Sequence, residues 1–126
     1  MKSQFDDNFF DYIICSHVLQ DIVNEKDAFS EIKRVLKNDG NLILSIPICF
    51  KLNNTLENVT LTSAFKRLID FGNREHVRIY GNDYLKRLYN FGFNVQLFQV
   101  NKILSPDKIL QNRFIAEDIV MFCKKY

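Results

Sequence analysis

The chain has 126 residues, 47% of them hydrophobic and 25% charged, with a formal net charge of +2. That length fits one domain, residues 1–126, with an ordinary core, and the composition is that of a globular rather than a disordered chain. Basic residues are scattered, with only Lys124-Lys125 adjacent at the end, so no nucleic-acid partner is expected. No apolar run approaches the roughly 18 residues of a membrane span, and no basic-then-apolar leader pattern opens the chain. A cytoplasmic protein without membrane contact is the expectation. Cys15, Cys49 and Cys123 are widely spaced among apolar residues, which predicts reduced, partly buried thiols rather than a disulfide. His17 and His76 are far apart, with no paired cysteines or acidic cluster, so no metal site is expected.

Residues 1–9 read as a loop entering a strand at Tyr12–Ser16. A short helical turn over Val18–Val23 follows. Asn24 can cap the next helix, with Asp27 three positions on as in a capping box. Ala28, Phe29, Ile32, Val35 and Leu36 then form one apolar stripe at helical spacing. Acids in the first turn and Lys33, Arg34 and Lys37 near the last match the helix dipole, and Asn38-Asp39-Gly40 is expected to end the helix. Leu42–Ile46 reads as a buried strand stopped by Pro47. Strand, helix, strand in this order predicts a βαβ unit, in which ligands bind outside the carboxyl ends of the strands. Residues 48–61 look irregular. A helix from Thr62 to Phe71 stops at Gly72, and another opens at Asn82 or Asp83 and ends at Gly92. Phe93, Val95 and Leu97 alternate with Asn94 and Gln96, predicting a half-exposed strand. Ser105-Pro106 begins a loop or short helix, and Ile119–Cys123 reads as the last strand.

Taken together these pieces resemble the carboxyl-terminal half of the Rossmann-like, class I S-adenosylmethionine-dependent methyltransferases, in particular bacterial methyltransferase-domain proteins. Phe10 through Leu19 (FDYIICSHVL) looks like that family's fourth strand and following loop, and Glu31 through Gly40 like the next helix and turn. Leu42–Pro47 resembles the fifth strand, Glu75 through Gly81 with Gly92-Phe93 a later segment, and Glu117 to Lys124 the final strand. The resemblance implies an α/β fold: a partial Rossmann-like sheet of about four strands, mostly parallel, with an antiparallel last strand and flanking helices. Two family features have no counterpart. No glycine-rich turn is present, since Gly40, Gly72, Gly81 and Gly92 are not spaced for one, and no second-strand acid stands ready for a ribose. The family's "Val-Leu-Glu-His" reads Val18-Leu19-Gln20-Asp21, losing a carboxylate and an imidazole. The chain is therefore expected to be truncated: a gene fragment, or a half that works with a missing amino-terminal partner.

The resemblance puts Ser16, His17 and Val18 at the methionine end of the cofactor and makes His17 a candidate base near the methyl acceptor. Alternatively, His17 caps the short helical turn through its ring. His76, Arg78 and Tyr80 alternate, so in an extended segment they point the same way and could bind an anionic or hydroxyl-bearing acceptor. The alternative is an exposed polar edge with Arg78 paired to Glu75. Phe5, Phe9 and Phe10 suit packing better than adenine stacking, and Thr55 and Glu57 lie in a segment that could cover a site but suits a solvated loop. The implied function is methyl transfer from S-adenosyl-L-methionine to a small-molecule or glycan-related acceptor, with weak or no cofactor binding by this chain alone. A non-catalytic remnant, or an interaction module pairing with another chain or a second copy through an exposed sheet edge, is the other reading.

Overall fold

The computed structural model describes residues 2–126. Its centre is a four-stranded sheet in the spatial order β1 (Phe10–Ser16), β2 (Leu36–Ser45), β6 (Ile119–Lys125), β5 (Phe93–Gln99). β1 and β2 pair in parallel, with Ile14 opposite Ile43. β6 runs antiparallel to both β2 and β5, so the last strand alone opposes the other three. This is the α/β arrangement expected.

The first helix, α1 (Glu25–Val35), starts as the sequence predicts. The Asn24 side chain accepts from the Asp27 amide at 3.2 Å and donates to the Asp27 carboxylate at 2.7 Å. Its end differs from the expected Asn38-Asp39-Gly40. Leu36 is already extended (φ −77°, ψ 133°) and wholly buried, and it opens β2 opposite Phe10. The helix's last carbonyls find partners outside it: Arg34 O and Val35 O accept from the Asn8 and Phe9 amides at 2.9 and 2.8 Å, and the Lys125 ammonium donates to Lys33 O at 2.8 Å and to Leu36 O just beyond the helix. The register between β1 and β2 shifts between Phe10 and Tyr12. Gly40 lies where β2 closes on β1: a Cβ there would stand 3.0 Å from the Asp11 carbonyl.

Residues 46–77 form a long excursion from β2. It includes β3 (Leu56–Glu57) and α2 (Ala64–Phe71), and returns through β4 (Arg78–Ile79), which pairs antiparallel with β3. Ser63 caps α2, and Gly72 stops it in the left-handed conformation at φ 73°. Then come α3 (Tyr84–Asn90), β5, a single turn α4 (Val100–Ile103) that the sequence did not announce, and α5 (Pro106–Gln111) capped by Ser105.

The two sheet faces differ. One carries Leu42, Leu44, Met121, Cys123 and Phe93, all fully buried against Phe29 of α1 and Leu88 of α3. Burial pushes the Cys123 thiol up to about 12. The opposite face carries Tyr12 (62% exposed) and Ile14 (74% exposed), followed in register by Ile43 and Phe122, none of them buried. β1 is an edge strand. Phe5, Phe9 and Phe10 pack on one another beside it, with ring centroids 4.8–5.6 Å apart.

What holds the loop after β1 is the strip His76–Tyr80. Val77 donates its amide to Gln20 O at 2.9 Å. The Arg78 side chain, 1% exposed, donates to Leu19 O, to Ile22 O at 2.6 Å, to Val23 O at 3.3 Å and to Glu57 at 3.2 Å. Tyr80 donates to the buried Glu25, whose other oxygen takes Arg87 at 2.5 Å. Burial and the Glu25 charge together raise the Tyr80 hydroxyl well above its ordinary range. Burial alone would raise the Glu57 carboxyl, but hydrogen bonds from Arg87 and Arg78 outweigh it and hold it low.

Two outcomes are expected. Arg78→Ala strands the Ile22 and Val23 carbonyls, leaves Leu19 O with the Ile22 amide alone, and should cost about 2–4 kcal/mol, lowering Tm by roughly 6–16 °C, with Arg78→Lys recovering only part. Because folding depresses Glu57, its contribution is present above its unfolded value of about 4.3 and is lost as pH falls through the folded one. Thermal melts from about pH 5 down to about pH 3 should therefore show a steeper loss in the parent than in Glu57→Gln.

Candidate functional site at the carboxyl ends of the parallel strands

β1 and β2 both end beside a cleft of about 370 Å³ lined by His17, Ser45, Ile46, Pro47, Ile48, Phe50, Glu117, Asp118 and Ile119. β6 enters the sheet at this same end, which brings Glu117 and Asp118 across from His17.

His17 is the residue the local geometry singles out. Its amide donates to Ser45 O at 2.9 Å, extending the ladder by one residue. The chain then turns sharply at φ 52°, a left-handed conformation that costs a non-glycine residue on the order of 1 kcal/mol. Gln20 stabilises this turn: its side chain is 4% exposed, and its amide donates to the His17 carbonyl at 2.8 Å. The turn presents the imidazole to the cleft, with Nε2 3.4 Å from the Ser45 hydroxyl. The short helix Leu19–Asp21 has Val18 at its cap position and no side-chain cap, so the ring does not serve as one. An imidazole at the mouth of a partly apolar cleft can accept a proton from a hydroxyl or amine bound there. No lysine or arginine lines the cleft, and two carboxylates do.

Of the other residues singled out in the sequence, Ser16 is exposed at the end of β1, and Val18 (46% exposed) leads into the short helix. His76, Arg78 and Tyr80 do share one side, as their alternation predicts, but all three turn toward residues 19–25. Arg78 and Tyr80 are buried in the network described above, and the carboxylate on Arg78 is Glu57, not Glu75. His76 Nε2 lies 3.5 Å from Asp21. His76 and Arg78 border another cleft, of about 240 Å³, that also touches Pro47 and Ile48. Thr55 accepts no solvated role: its amide and hydroxyl both donate to Asp83, at 2.7 and 2.6 Å. Three participants went unread in the sequence: Gln20 as the support of His17, Ser45 as its neighbour, and the Glu117–Asp118 pair. Only a known strand order could have placed Glu117 opposite His17. Among the described residues no group of histidine, cysteine and acidic side chains could hold a metal ion, and no helix is long and apolar enough to cross a membrane.

Residues 1–44 match the family described as a methyltransferase domain. No curated protein matches the chain. Among solved structures, a candidate methyltransferase of Bacillus halodurans C-125 superposes at a TM-score of 0.56 with 19% identity, over 98% of this chain and 73% of that one. A SAM-dependent methyltransferase of Archaeoglobus fulgidus does so at 0.54 with 15% identity, over 96% of this chain and 62% of the other. Phosphoethanolamine N-methyltransferase 2 of Haemonchus contortus, solved with S-adenosyl-L-methionine, gives 0.53 with 17% identity, over 98% of this chain and 35% of that enzyme. At such identities the likeness is one of fold, and each of these proteins extends beyond the part this chain matches. The chain thus carries the fold of class I S-adenosylmethionine-dependent methyltransferases, with the sequence match to the methyltransferase-domain family in residues 1–44.

Proposed function

We propose that the chain forms the acceptor side of a methyltransferase site, with Ser16, His17 and Val18 at the methionine end of S-adenosyl-L-methionine and a small-molecule or glycan-related acceptor beyond them. The observation that carries this reading is His17, held in a left-handed turn at the carboxyl end of paired parallel strands and facing a cleft. The cofactor, when bound, supplies a methyl group already activated on a sulfonium. The chain's own task is orientation, with His17 taking the acceptor's proton.

The residues fit one end of that cofactor only. Gly81 alone follows a strand and precedes a helix, and a Cβ there would lie 2.7 Å from the Asn54 carbonyl, so the chain itself fills the space a ligand would need. Glycine-mediated approach to a ribose has to come from other polypeptide, in the same chain or a partner. Calorimetric titration of the purified 126-residue chain should accordingly show affinity for S-adenosyl-L-methionine no tighter than about millimolar, near −4 kcal/mol. Micromolar binding would sink this reading. In a protein complemented with an amino-terminal half, His17→Ala should lower turnover at least tenfold while stability changes by less than about 1 kcal/mol.

One observation favours the alternative of a pairing module. The β1 edge bears Tyr12 and Ile14 in water, with no lysine or proline to guard it. Light scattering at about 100 μM should show association, since such edges associate in the μM–mM range. Ile14→Lys should return the chain toward monomer, and a parent that is monomeric throughout would count against pairing.

A further inference from the structure

The His17 cleft does not end at Phe50 and Ile119. Both residues also line a second cleft, of about 590 Å³, with Leu97, Phe98, Lys102 and Ile103. Through these shared residues the two clefts adjoin, and together they make a trough with His17, Glu117 and Asp118 in one part and mostly apolar side chains, beside Gln99 and Lys102, in the other. Phe50 (56% exposed), Leu97 (42%) and Ile103 (57%) leave apolar surface in water inside a concavity, which a slender apolar group would cover.

We propose that this trough binds an amphiphile: a single apolar chain lying along Leu97, Phe98 and Ile103, with a head that is not anionic beside His17. The inference rests on the reading of the His17 cleft as the acceptor site, and it narrows the acceptor to a small molecule with an apolar tail. The head is assigned from charge. Glu117 and Asp118 face that end, where an amine or hydroxyl is accommodated and a carboxylate repelled. Phe50 and Ile119 line both clefts, so head and tail can be held at once.

The test needs no cofactor, so it stands or fails apart from methyl transfer. n-Butylamine and n-decylamine are titrated below the micellar range into the purified chain, followed by methyl and amide NMR shifts. Decylamine should bind, with shifts at Leu97, Ile103 and Ile119, and each two methylenes lost from its tail should weaken it by about fivefold or more. Ile103→Asp, at an exposed position, should weaken it at least tenfold; Leu110→Asp, 81% exposed and outside the trough, should leave it unchanged. Decanoate should bind at least tenfold more weakly than decylamine. Affinity independent of tail length, shifts confined to Tyr12 and Ile14, or trough shifts that appear with protein concentration alone would overturn the tail assignment. Decanoate binding as tightly as decylamine would overturn the head assignment. Binding as described without methyl transfer in any complemented protein would retain the trough and remove the acceptor reading.

Discussion

A single guanidinium, shut away from water, closes this fold. The turn after β1 satisfies little of its own backbone: Leu19 O accepts the Ile22 amide at 3.3 Å, and it and the carbonyls of Ile22 and Val23 all turn to one side chain from far along the sequence. Arg78 answers all three and keeps Nε for Glu57. A lysine has one donating centre; the planar fork of arginine spans several acceptors at once. Burying a charge is costly unless it is fully partnered, and here the partners are main-chain dipoles and one carboxylate. The residue that completes them comes from 55 positions or more along the chain. The long excursion after β2 must therefore return before the site-bearing turn is set. His17, at the near end of that turn, depends on Gln20, and Gln20 O is in turn held by the Val77 amide.

Most of the elements were legible because local rules and burial agree. Asn24 with Asp27, the Gly72 stop, and Ser105 with Pro106 are start and stop signals satisfied within a few residues, and the structure uses each one, though α2 starts from a Ser63 cap rather than at Thr62. The end of α1 was misread because Leu36 continues the helical stripe in sequence while serving the strand in space. Its side chain is needed in the core from either element, so periodicity could not choose. Pairings across long separations were illegible for a different reason. Glu25 looks like a first-turn acid favoured by the helix dipole, yet it is buried and held by Tyr80 and Arg87. The alternation of His76, Arg78 and Tyr80 correctly gave a shared side, but alternation cannot say whether that side meets a ligand or the chain's own carbonyls.

The sheet divides its labour by face. One face is sealed by α1 and α3 and supplies the cohesion; the other is apolar in one row and left in water at Tyr12 and Ile14. The candidate site lies at neither face but at the end, where β1, β2 and the start of β6 converge. A site built there draws its rigidity from hydrogen-bonded ladders while its lining comes from the connecting segments. Substitutions in the lining can therefore alter what is bound with little effect on the strands that position it.

The burial of Cys123 gives the molecule a built-in reporter. Its thiol lies in the strand that joins β2 to β5, and with its ionisation pushed to about 12 almost no thiolate exists near neutrality. An alkylating reagent reaches it only from molecules in which the sheet has parted. The rate of its modification consequently measures how often the central strand opens, a clock for sub-global unfolding that requires no added label.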